Sequence, residues 1–143
     1  MTPQQVAAVQ TSFEAVKPIA DTAATLFYER LFTIAPEYRK LFKGDMERQG
    51  RMLMSMIGTA VNGLSRPDTI LPAVKDLGRR HVNYGVSDKD YGVVGGALLW
   101  TLERGLGEGY TPEVREAWTE AYTLLSTVMM SGAREATASI EVA

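Results

Sequence analysis

The sequence predicts an all-α fold, on three observations. Apolar residues recur at helical spacing along almost the whole chain. No stretch alternates apolar and polar residues as a half-buried strand would. Pro3, Pro18, Pro36, Pro67 and Pro112 interrupt the pattern where helices should start or bend. The 143 residues suffice for one domain with a substantial core. That domain is expected to span 1–143, with residues after about Ala136 as a frayed tail.

Thr2 caps the first expected helix, with Pro3 at its first position and Gln5 three residues after the cap. Val6, Val9, Phe13 and Val16 form its buried stripe. Pro18 marks a bend or a second start. The next helix runs to about Thr33, with Ala20, Ala24, Phe27, Tyr28, Leu31 and Phe32 on one side. Pro36 opens a short turn ending near Phe42, and Lys43, Gly44 and Asp45 read as a loop. A long helix follows from about Glu47 to Ser65, striped by Leu53, Ile57, Ala60, Val61 and Leu64. Gly50 in its first turns costs roughly 1 kcal/mol against Ala, which a close crossing against small Ala24 would explain. Arg66-Pro67-Asp68 ends this helix and starts another, to about Val82. Asn83 to Ser87 connect it to a helix from Asp90 to Gly105 that carries Tyr91, Val94, Leu98 and Leu102. Thr111-Pro112 caps the last helix, which carries Val114, Trp118, Ala121, Leu125, Val128 and Gly132. The linker GLGEGYTP is short, so the last two helices are predicted to pack antiparallel.

Composition removes several function classes. Formal net charge is −2, from 15 basic and 17 acidic residues, so nothing draws the chain to nucleic acid or an anionic membrane. Cysteine is absent, which excludes disulfides, thiolate metal sites, iron–sulfur clusters and a Cys nucleophile. The single histidine excludes a multi-His zinc site. The longest apolar run, Val93 to Leu102, is too short to span a bilayer. The start, MTPQQVAAVQ, has no basic region before an apolar core, so a cytoplasmic protein is expected. The run Gly105-Leu106-Gly107-Glu108-Gly109 follows a helix, not a strand, and reads as a loop rather than a phosphate cradle.

His81 is the first candidate for chemistry. It shares the apolar stripe of its helix with Ile70, Val74 and Leu77. It is either a core histidine or an axial ligand to a metal held mainly by something besides protein. One imidazole cannot hold a bare ion, but it can ligate an iron whose other ligands come from a porphyrin. Gln49, one turn before Leu53, is either a surface residue or the polar member of that helix's inner face. Tyr28 lies between Phe27 and Phe32, so its hydroxyl needs a partner if buried. The methionines Met46, Met52, Met54, Met56, Met129 and Met130 fill a core or contact a cofactor. Arg79 and Arg80 complement the helix dipole or meet acidic groups of a cofactor.

Together these residues resemble the globin family, in its branch of bacterial single-domain haemoglobins and flavohaemoglobin haem domains, over about residues 4–135. Pro36 and Phe42 match the proline that opens the short third helix and the phenylalanine that stacks on the haem. Gln49 and Leu53 match the distal positions facing the sixth coordination site. His81 follows Gln49 by 32 residues and matches the proximal ligand. Leu77 to His81 (LGRRH), with Tyr84, Gly85 and Val86, resembles the proximal helix and the turn after it. Tyr28 matches the distal tyrosine of the bacterial branch, and Trp118 with Tyr122 matches a W-x-x-x-Y pattern in the last helix.

The resemblance implies a globin fold with haem b between the proximal and distal helices. His81 would be the metal ligand, its other ring N–H donating to a carbonyl such as that of Leu77. Phe42, Leu53, Gln49, Tyr28, Leu77, Arg80, Tyr84, Val86 and Tyr91 would line or contact the cofactor. The implied ligands are O2, CO and NO, bound reversibly, in a monomer or a homodimer. The alternative is nitric oxide dioxygenation with a separate reductase, since the chain ends at Ala143, where flavohaemoglobins continue into a reductase region. From another class, a haem-free globin-fold regulatory module would leave His81 in the core. One further departure bears on this choice. The family's proximal Tyr has its match in Tyr91, but the proximal Glu position is Ala133, with Glu135 about half a turn off. Without that Glu the imidazole donates less electron density, which favours ligand binding over peroxidase-like chemistry.

Overall fold

The computed structural model describes residues 1–82 and 86–142. Among them are six α-helices and no strand: α1 (Pro3–Val16), α2 (Ala20–Ile34), α3 (Met46–Gly63), α4 (Pro67–Val82), α5 (Asp88–Leu106) and α6 (Pro112–Val142). Short 3-10 turns at Lys17–Ile19, Pro36–Leu41 and Gly107–Gly109 join them. The all-α prediction holds, and no helix among the described residues is long and apolar enough to cross a membrane.

Local chemistry explains most of the helix starts. At α1, Thr2 Oγ1 accepts the Gln5 N–H at 3.1 Å, and Gln5 Oε1 accepts the Thr2 N–H at 2.9 Å. Asp45, read as loop, is in fact the α3 cap, accepting the Glu47 N–H at 2.9 Å. The α5 helix starts two residues before the predicted Asp90, because Ser87 donates its N–H (2.8 Å) and hydroxyl (3.0 Å) to the Asp90 carboxylate. The backbone of α6 is helical to Val142, beyond Ala136.

Two apolar clusters form the interior. Val9, Phe13, Val16, Val61, Leu64, Leu102 and Trp118 dominate the first. Its buried polar atoms are satisfied: the Trp118 indole N–H donates to Ser12 Oγ at 2.8 Å, and that hydroxyl donates to the Ala8 carbonyl at 2.7 Å. Phe27, Tyr28, Leu31 and Ala97 form the second, flanked by Phe32, Phe42, Leu53 and Val94. The expected crossing of α2 and α3 is present. A Cβ on Gly50 would lie 2.9 Å from the Ala24 Cβ, so glycine is what lets the two helices meet.

The linked helices α5 and α6 are in contact. The short linker before α6 does not make α5 its main partner; α6 packs chiefly on α4 and then on α1. Chain proximity joins helix ends, but the packed face goes where backbones can approach closest, and Gly78 of α4 and Gly132 of α6 allow that approach. The contact of α5 with α6 runs through Tyr122, whose ring lies on Gly95 and whose hydroxyl donates to the Tyr91 carbonyl at 2.6 Å.

Asp90 also accepts the Tyr38 hydroxyl, tying the Pro36–Leu41 turn to the start of α5. Burial, the hydrogen bond to Asp90 and the nearby carboxylates push the Tyr38 hydroxyl up to about 12. Burial would raise the Asp90 carboxyl, but its hydrogen bonds from Ser87 and Tyr38 and the charge of Lys89 hold it below the ordinary value. A depressed carboxyl contributes stability that is present above its unfolded-state pKa and lost as pH falls through the folded-state value. Asp90→Asn is therefore expected to lower the melting temperature at neutral pH. The deficit should shrink as acid titrates the parental carboxylate. Equal melting curves at pH 7 would show that this tie contributes nothing.

Candidate cofactor site

The distal half of the site is assembled by α2, the Pro36–Leu41 turn and α3. Tyr28 is buried, and its hydroxyl is hydrogen-bonded to the Gln49 side chain. Burial pushes that hydroxyl above the ordinary tyrosine value, and the bond to Gln49 partly offsets this. The Tyr28 ring makes edge contacts with Phe27 (5.1 Å) and Phe42 (5.3 Å) and stacks on Phe32 (5.9 Å). Phe42 in turn meets Phe32 at 5.5 Å, and Leu53 packs in the same cluster. Four sequence-predicted residues, Tyr28, Phe42, Gln49 and Leu53, are thus brought together, with the one polar pair held by aromatic rings.

The proximal half is built on α4 and α5. His81 is half-buried on the inner side of α4, and its Nδ1 lies 2.7 Å from the Leu77 carbonyl. With that carbonyl as acceptor, Nδ1 carries the proton and Nε2 carries the ring's lone pair. The Val86 N–H donates to the His81 carbonyl at 3.3 Å, closing the helix end. Tyr91 is buried, and its hydroxyl is the one buried side-chain polar atom without a partner among the described residues. Burial first, and then the carboxylates of Asp88 and Asp90, push that hydroxyl up.

Arg80 is exposed and pairs with Asp76 at 3.5 Å, a solvent-facing i,i+4 pair on α4. Tyr84 lies outside the described residues. Glu135 does not replace the absent proximal Glu. It is exposed and bridges Lys75 and Arg79, each at 2.6 Å. Those two cations hold its carboxyl below the ordinary value. Sequence reasoning missed the link between Tyr38 and Asp90, which no local pattern announces because 52 residues separate the two.

The arrangement suits a flat group that brings its own equatorial ligands. The helices α3 and α4 meet at their corner, where Ile70 packs on Gly63, and make few other contacts. Each buries little of its own: Gly50 and Val61 on α3, Gly78 on α4. Their apolar residues Leu53, Met54 and Ile57, and Val74 and Leu77, stay half-exposed. No group of three or more His, Cys, Asp or Glu among the described residues could hold a bare ion. A single imidazole with its Nδ1 engaged, an apolar face on each helix and an orphaned buried hydroxyl fit a haem.

This helical arrangement, with a tyrosine–glutamine pair facing one side and a carbonyl-anchored histidine on the other, is that of a haem-protein fold. The Globin family profile matches residues 25–129, and the chain belongs to the globin family. Among curated proteins it is similar to flavohemoproteins. That of Bordetella bronchiseptica is 28% identical over 94% of this chain, and that of Halalkalibacterium halodurans 32% over 73%. The matches cover 34% and 26% of those proteins, so the chain spans about a third of the length of the curated relatives it matches. Among solved structures, an engineered carbene transferase from Rhodothermus marinus superposes with a TM-score of 0.88 at 24% identity, covering 99% of each chain. A hexacoordinated haem protein from an anhydrobiotic tardigrade superposes with a TM-score of 0.84 at 17% identity, covering 94% of this chain and 96% of that one. Both establish the likeness of fold.

Proposed function

We propose that this globin binds haem b through His81 and reversibly binds O2. The observation that carries the reading is the His81 Nδ1 contact with the Leu77 carbonyl, which fixes the tautomer a haem ligand needs. Haem supplies an iron that takes O2, CO or NO as a further ligand. Tyr28 and Gln49 supply the polar atoms that can donate to that ligand, and burial keeps the Tyr28 hydroxyl protonated. Phe42 and Leu53 exclude water from the same space, which slows oxidation of the iron. Absorption spectra of the reduced protein with and without O2 and CO test the reading. Distinct ferrous, O2-bound and CO-bound spectra support it, and a colourless protein that takes up no haem rejects it.

The runner-up is nitric oxide dioxygenation with electrons from a reductase. The flavohemoprotein relatives support it, and the missing carboxylate at Ala133 weighs against it. Ala133→Glu tests that weighting. Restoring the carboxylate is expected to raise the iron–histidine stretching frequency of the ferrous protein and to lower its Fe(III)/Fe(II) potential. A carboxylate buried without a partner would protonate or turn away, so its crystal position is measured with the band. If it sits within hydrogen-bond reach of His81 and the band stays put, proximal hydrogen bonding does not separate this chain from redox-active relatives.

A further inference from the structure

The α4–α6 crossing is a reciprocal one. A Cβ built on Gly78 would lie 2.0 Å from the Met129 carbonyl oxygen. One built on Gly132 would lie 2.1 Å from the Lys75 carbonyl oxygen. Each glycine thus receives the carbonyl of the residue three positions before the other glycine, and the helices run in opposite directions through the contact. Both obstructions are backbone, which cannot swing aside as a side-chain tip can. Outside the crossing, Glu135 of α6 holds Lys75 and Arg79 of α4, each at 2.6 Å.

Among the described residues, this crossing supplies most of the contacts that hold α4. Gly78 is the one buried residue of the helix, and the contact with α3 is small. His81 lies one turn after Gly78, and Leu77, whose carbonyl holds the imidazole, is its neighbour. We propose that Gly78 and Gly132 are positioning residues for the proximal ligand: their lack of side chains sets how far α4 stands from α6, and so where His81 presents Nε2. The inference rests on His81 being the haem ligand. A methyl group at either position must move α4 as a body, because close-packed backbone transmits the displacement. Any such shift tilts the imidazole away from its parental approach to the iron.

The test uses the full haem-loaded chain. The iron–histidine band of the ferrous protein is recorded by resonance Raman for the parent, Gly132→Ala and Gly96→Ala. Gly96 lies within α5 with nothing inside 4 Å of its would-be Cβ, so its variant controls for a helical Gly→Ala exchange. Gly132→Ala is expected to move the band to lower frequency by more than its parental width, with faster amide exchange along α4, while Gly96→Ala matches the parent. In His81→Gly supplied with free imidazole, the ligand is no longer tethered to α4. Adding Gly132→Ala there should leave the iron–imidazole band in place. A folded, haem-loaded Gly132→Ala with the parental band overturns the proposal. So does a shift that persists with untethered imidazole. If Gly132→Ala does not fold, Glu135→Arg places a third cation beside Lys75 and Arg79 on an exposed surface. It is expected to shift the band in the same direction by less, and a parental band there overturns the proposal too. A parent that holds haem without any iron–histidine band rejects the ligand reading instead. Amide exchange along α4 then decides the crossing by itself, and unchanged exchange in Gly132→Ala overturns it.

Discussion

His81→Ala is expected to leave a folded protein that retains little haem, or one whose ferrous spectrum changes class. The imidazole is half-buried, and its Nδ1 meets the Leu77 carbonyl of its own helix at 2.7 Å. The packing that holds α4 comes chiefly from the backbone crossing with α6, which this substitution leaves in place. Haem affinity, by contrast, loses its only histidine donor. The drop should exceed the roughly 10–100-fold that follows removal of a group that merely orients a metal ligand. Added imidazole should restore a parent-like ferrous spectrum, because the missing donor is small enough to diffuse into the gap. The measurement is a haem titration with and without imidazole, alongside a thermal melt. Parental ferrous and CO-bound spectra in the variant would falsify the assignment of His81 as the ligand.

Tyr28→Phe is expected to speed O2 dissociation far more than CO dissociation. O2 is the better hydrogen-bond acceptor at such a site, and one charge-assisted bond is worth roughly 1.5–3 kcal/mol, or about ten- to a hundredfold in rate. The substitution is clean. The Tyr28 ring is held by Phe27, Phe32 and Phe42, so phenylalanine removes the hydroxyl and keeps the cluster. The pairing of that hydroxyl with Gln49 adds a second expectation. In the single variant the Gln49 amide loses its partner and can turn to the ligand, so part of the effect is masked. Tyr28→Phe combined with Gln49→Leu should therefore dissociate O2 faster than the product of the two single effects, since residues in one hydrogen-bond network do not act additively. Stopped-flow rates for all four proteins decide this. If Tyr28→Phe leaves the O2 rate unchanged while Gln49→Leu raises it, Gln49 is the donor.

Much of the candidate site is legible in the sequence. His81 stands on an apolar stripe, and helical spacing alone places Leu77 one turn before it, where its carbonyl meets Nδ1. Tyr28 sits among aromatic neighbours, which predicts a buried ring whose hydroxyl needs a partner. That the partner is Gln49 was not legible, because it depends on how α2 crosses α3 at Gly50 and Ala24. The direction of Arg80 follows from helix phase. Its neighbour His81 turns inward, but a residue one position earlier on a helix points about a quarter-turn away, toward Asp76 and solvent.

Helix order, caps and inward faces follow from the chain itself, since they depend on interactions within a few residues: Thr2 with Gln5, Thr111 with the Val114 N–H, apolar residues three and four apart. The same local rules, applied more closely, would have placed the starts of α3 and α5 at Asp45 and Ser87. Partner choice lay outside their reach. The pairing of α6 with α4, the bond between Tyr38 and Asp90 and the orphaned Tyr91 hydroxyl each join residues far apart in sequence or depend on what surrounds a buried group. Only the folded chain decides them, because which backbones can approach depends on where glycines on two different helices meet, and neither helix encodes the other's position.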